Sequence, residues 1–160
     1  FQEPRPTMTT NVILKEDTIA SIGERMIATT LPKAEWTNAA HVAALAYILI
    51  RRPDIDAERD MPTLIRRYNR ATGGENTETA GYHETITQAS IRLARAVLAL
   101  APATSTLEGA TAALLASPLG KSDWLLAHWT QETLFSPRAR LSWVEPDLAP
   151  LPSLTSGFQP

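Results

Sequence analysis

The stretch from Ala39 to Ile50 is apolar except for His41, and it constrains the fold more than any other feature of this chain. At about 12 residues it falls short of the roughly 20 that a bilayer-spanning helix needs. Thr37, a residue suited to capping, precedes it and Pro53 ends it, which predicts a helix from Asn38 to about Arg52. Val42, Leu45, Tyr47, Ile48, Leu49 and Ile50 leave that helix apolar almost all round, so it must be the most buried element. Two things could cover it: a deep core within one chain, or a second copy in a homodimer.

The rest of the chain supplies partners of the same kind. Ile19, Ile22, Met26 and Thr30 recur at helical spacing after Asp17-Thr18, and Pro32 closes that segment. Met61, Leu64, Ile65 and Tyr68 mark a helix from about Ile55 to Ala71, stopped by Gly73-Gly74. Pro62 removes a backbone donor, so this helix is kinked there or begins there, capped by Asp60. Ile86, Ala89, Leu93, Ala96 and Leu100 form one stripe of a helix from Tyr82 to Leu100, ending before Pro102. Ser105-Thr106-Leu107-Glu108 has the form of a capping box opening a helix to about Ser117. Ser122-Asp123 start another, to Phe135, and Ser136-Pro137 lead a last one to Trp143. With no alternating strand pattern and no repeat, the expectation is an all-α, single-domain bundle of five to seven helices over residues 8–145. Residues 146–160 read as an extended tail. Phe1-Gln2 resembles the end of a protease-site tag, which makes Met8 the expected natural start and residues 1–7 tag-derived or disordered.

Composition removes several classes of function. The 160-residue chain has no cysteine, so it has no disulfides, thiolate zinc site or thiol nucleophile, and a cytoplasmic location is expected. A net charge of −2, no run of five like charges and no basic recognition helix argue against nucleic acid. No Walker loop, G-x-G-x-x-G, H-E-x-x-H or G-x-S-x-G motif is present, and no cofactor is indicated.

Topology suggests where chemistry would sit. If the helices starting near Asn38, Ile55 and Tyr82 run up, down and up, the starts of the first and third lie beside the end of the second. His41, Tyr68-Asn69 and His83 then fall within roughly 6 Å of one level, at 1.5 Å of rise per residue. Two helix N-termini at one cavity favour an anionic ligand and neutral imidazoles, which can serve as bases or hydrogen-bond partners. Against this, a lone histidine in an otherwise apolar helix is more often a satisfied core residue. Glu84 points about 100° away from His83 on a helix and has its own local role, reaching back to a free backbone donor.

Trp36-Thr37-x-x-x-His41, then Tyr68-Asn69 before Gly73, then Gly81-Tyr82-His83-Glu84-Thr85-Ile86-Thr87 resemble a family of small uncharacterised bacterial all-helical proteins. Its members share a W-T-H-x-x-H-like segment and a G-Y-H-E-T-I-T segment. The resemblance covers roughly residues 31–100, with an echo at Pro146-Asp147-Leu148. It implies a helical fold and a site, without a reaction, and nominates His41, Asn69, Tyr82, His83, Glu84, Thr85 and Thr87. Asn38 stands where such sequences often carry a second histidine. Glu35-Trp36-Thr37-Asn38 therefore ends in an amide, which weakens a di-iron reading that needs E-x-x-H.

The leading expectation is a small-molecule site, binding or catalytic, at one end of the bundle. His83, His41 and Glu84 are the catalytic candidates, and Trp36, Asn38, Tyr68, Asn69, Tyr82 and Thr87 the ligand-binding ones. The alternatives are a mononuclear metal site using His41 and His83, or a non-enzymatic oligomerisation and interaction module.

Overall fold

The computed structural model describes residues 14–100 and 106–152. They form seven α-helices: α1 (Glu16–Ile27), α2 (Asn38–Arg51), α3 (Ala57–Ala71), α4 (Glu84–Leu100), α5 (Leu107–Ala116), α6 (Gln131–Leu134) and α7 (Pro137–Leu141). Short 3₁₀ turns occupy Lys33–Glu35, Pro118–Gly120 and Trp124–Ala127, and there is no strand among the described residues. The fold is all-α, and no helix among the described residues is long and apolar enough to cross a membrane.

α2 is the centre of the core. Ala40 and every residue from Val42 to Ile48 are buried, with α1 and α5 packed along it. Its all-round apolarity is thus accounted for within one chain. α3 packs on α1 and α4, leaving a cleft between itself and α2.

Helix ends follow local chemistry. The Thr37 hydroxyl accepts from the Ala40 amide at 3.2 Å, capping α2. Thr29 ends α1 in the left-handed region at φ 63°, and the Thr30 amide bonds the Arg25 carbonyl while Thr29 bonds Met26, the paired bonds of a Schellman ending. α3 ends the same way through Gly73, at φ 88°.

Five features depart from expectation, some through local caps and some through tertiary contacts. α3 neither starts at Pro62 nor uses Asp60 as its cap: Asp56 caps it by accepting from the Arg59 amide. Pro62 has no N–H for the Glu58 carbonyl, and Gln88 Nε2 of α4 donates to that carbonyl instead, at 2.9 Å. α4 starts at Glu84 rather than Tyr82 because the His83 ring caps it. Thr106 caps α5; Ser105 lies outside the described residues, as do 1–7, and Glu108 accepts from the first amide of α1, Glu16 N, at 2.9 Å. The segment from Ser122 to Phe135 is a 3₁₀ turn followed by the short α6, not one helix.

That last break is imposed by residues 144–152, expected as a tail beyond residue 145 but docked as an extended strap. Asp147 accepts from the Thr130 amide, the Thr130 hydroxyl and the Thr133 hydroxyl, each at 2.7 Å. The His128 carbonyl accepts from Leu148 N, and the buried Trp129 indole N–H donates to the Val144 carbonyl. Backbone and side-chain groups that could have continued a helix through His128–Thr130 are thereby held by the strap.

Candidate functional site

Two cavities open on the cleft and share Trp36, His41, Ile65, Ile86 and Thr87 as lining. One, of about 300 Å³, lies between α2, α3 and α4 and is lined chiefly by apolar side chains such as Val42, Leu45, Met61, Ile91, Trp124 and Leu125. The other, of about 550 Å³, is the more polar of the two, with Lys33, Asn69, Glu75, Tyr82, His83 and Arg140 lining it beside Trp36, Ile65 and Ile86. His41, Trp36 and Thr87 stand at the junction.

His41 sits in the first turn of α2, with Nδ1 2.7 Å from the Thr37 carbonyl. A carbonyl can only accept, so Nδ1 carries the proton and Nε2 keeps a lone pair that no donor among the described residues uses. The ring lies on the Trp36 indole, with centroids 3.8 Å apart and planes 33° from parallel. Burial of the imidazole against these neighbours lowers its pKa below the ordinary 6.5, with the Thr37 bond opposing, while the outer edge of the residue stays exposed.

His83 is different. It is 7% exposed; its Nδ1 accepts from the Ile86 amide at 3.1 Å and its Nε2 donates to the Leu134 carbonyl at 2.7 Å. Burial holds its pKa below 6.5, opposed by the Leu134 bond and reinforced by the nearby Arg140 charge. Both nitrogens are committed to the fold.

The loop before α4 is assembled around Asn76. Its side-chain oxygen accepts from Asn69 Nδ2 and from the Tyr82 amide, and its Nδ2 donates to the Arg66 carbonyl. Gly81 closes the loop at φ 80°, where a Cβ would lie 2.0 Å from the Glu75 carbonyl oxygen, so no side chain fits. Tyr82 is 4% exposed, with the Arg66 guanidinium 4.4 Å above its ring. Its buried hydroxyl makes no hydrogen bond, and burial, then the Glu84 charge, raise its pKa well above the usual value. Thr85 is fully buried, donating to the Ser142 carbonyl and accepting from Val144 N, which fastens the strap to α4.

Of the residues singled out in the sequence, Trp36, His41, Asn69, Tyr82, His83 and Thr87 line the polar cavity together. Asn38 lines only the apolar one, where its Nδ2 donates to the Leu119 carbonyl. Tyr68 lines neither: its hydroxyl donates to the Leu31 carbonyl and its ring sits 5.1 Å from Trp36, inside the core. Glu84 also lines neither, and the His83 ring performs the capping expected of its carboxylate. Sequence reasoning missed Lys33 and Arg140. Arg140 reaches the site from α7, donating to the Gly81 carbonyl at 2.8 Å across 59 residues of chain, and no local signal announces such a contact.

Among the described residues no three His, Asp or Glu side chains are gathered as metal ligands. His83 has no lone pair to offer, because its Nδ1 already accepts from Ile86 N. Compared with family models, with curated proteins and with solved structures, the chain matches none.

Proposed function

We propose that the protein binds a small molecule in the cleft between α2, α3 and α4, with His41 as the polar group that recognises it. The observation that carries this is the contrast between the two cleft histidines. His83 spends both nitrogens on backbone groups, whereas His41 presents a bare Nε2 at the meeting point of two cavities. The Thr37 carbonyl fixes the tautomer and Trp36 fixes the ring plane, so the acceptor is oriented before a ligand arrives. The cavities, about 300 and 550 Å³, have the size and the mix of apolar walls and few polar groups that small-molecule sites use. If the bound molecule is turned over, His41 is the general base, since a neutral imidazole held by a backbone acceptor can take a proton at Nε2.

A ligand-observed NMR screen of small aromatic and aliphatic alcohols and acids tests this. Binders are expected to be lost when Leu45→Trp fills the apolar cavity, and to weaken about tenfold, ~1.4 kcal/mol, in His41→Ala. Binding that survives both changes would refute the proposal.

A further inference from the structure

We infer that the ligand is a monoanionic amphiphile, a carboxylate on an apolar body, with its head near Lys33 and Arg140 and its body in the cavity behind Trp36. This rests on the cleft being a binding site and specifies what it takes.

The charged residues are divided unequally between the two halves. No Asp, Glu, Lys or Arg lines the apolar cavity, and the one ionisable group there, His41, is held neutral. At about 30 Å³ per heavy atom, water's share of liquid volume, a cavity of about 300 Å³ takes ~10 atoms. That is a medium-length acyl chain or a single substituted ring.

The polar half carries Lys33 and Arg140 against one carboxylate, Glu75, with His41 and His83 held neutral. The surplus is one positive charge, which one carboxylate balances. Three other charges lie nearby: Arg66, over the Tyr82 ring, and Glu84, which also acts on Tyr82, offset one another, and Glu35 pairs with Arg25 at 3.4 Å. Arg140 gives Nη1 to the Gly81 carbonyl, while its Nε–H is buried with no acceptor among the described residues. A guanidinium fork suits a carboxylate. The pull toward an anion is assigned to these side chains; at the helix starts Thr37 and His83 each already take one leading amide, Ala40 N and Ile86 N.

Titration calorimetry of the full chain with octanoate, octan-1-ol and acetate, at neutral pH and low salt, decides the matter. Octanoate is expected to bind at least tenfold more tightly than octan-1-ol, and acetate not measurably. Lys33→Gln, at an exposed position, should bring octanoate and octan-1-ol within about threefold of each other, and Leu45→Trp should abolish both. Octanol binding as tightly as octanoate, or octanoate unaffected by Lys33→Gln, overturns the anionic head while leaving the cleft as a site. Acetate binding as tightly as octanoate overturns the apolar body. If no octyl compound binds although the fragment screen finds Leu45→Trp-sensitive ligands, the inference fails alone; if that screen is also empty, the cleft proposal fails with it.

Discussion

Replacing His83 with alanine separates a working histidine from a structural one. The change deletes the ring nitrogen that accepts from the Ile86 amide and the N–H that donates to the Leu134 carbonyl, in a residue only 7% exposed. Losing a side-chain N-cap costs about 1 kcal/mol, and leaving a buried carbonyl without its donor costs about 1–3 kcal/mol. The sum is about 2–4 kcal/mol, which for a domain of this size lowers Tm by roughly 5–15 °C. His83→Asn restores a good N-cap and leaves Leu134 unpaired, so it should recover about 1 kcal/mol of that loss. There is also a pH signature. The folded-state pKa lies below the unfolded 6.5, so the contribution is complete above that value and is lost as pH falls through the lower, folded pKa. His41 acts in the same direction, so His83→Ala should flatten the acid side of the stability profile only in part. Thermal melts by circular dichroism across this pH range, alongside octanoate titration, provide the assay. A His83→Ala protein that melts within about 2 °C of the parent yet no longer binds octanoate would refute the structural role.

Three further changes probe the frame of the site. Thr29→Gly should stabilise the protein by about 0.5–1 kcal/mol, because glycine relieves roughly 1–2 kcal/mol of left-handed strain at φ 63° and gives part of it back as unfolded-chain entropy; a higher Tm checks it. Asp147, held down to about 2 by the Thr133 and Thr130 hydroxyls and the Thr130 amide, contributes stability that is full above 3.8 and is lost as pH falls from there toward its folded value. Asp147→Asn should remove that acid-side loss from urea denaturation curves and speed hydrogen exchange at Leu148 N, which marks release of the strap. Gln88→Leu should cost about 1 kcal/mol by leaving the Glu58 carbonyl unpaired, and that cost should shrink in a Pro62→Ala background, since alanine restores the intrahelical donor.

Much of the helical frame was legible along the chain. The start of α2 at Asn38 after Thr37 and its end before Pro53, and the end of α3 at Gly73-Gly74, match expectation because capping and stopping act within one turn. Counting rise per residue along helices of assumed direction put His41, Tyr68-Asn69 and His83 near one level; His41, Asn69 and His83 line one cavity, whereas Tyr68 is buried in the core. Less was legible where two local signals competed. Pro62 argued for a late start of α3, yet Asp56 starts it earlier, because Gln88 supplies what proline cannot. Ser122-Asp123 and Phe135 bracketed a plausible helix, and a strap far along the chain broke it.

Sequence alone determined that this is an all-α chain built around one helix, apolar almost all round, that must be the most buried, since the period and extent of apolar residues are properties of neighbouring positions. Tertiary structure decided what each polar group is for. Glu108 caps a helix 92 residues away, Arg140 reaches Gly81 across 59, and Leu134, 51 residues on, takes the Nε2 proton of His83. A helix hydrogen bond closes over four residues and can be read from spacing. A side-chain partner is whatever the packed core brings within about 3 Å, which no local pattern records.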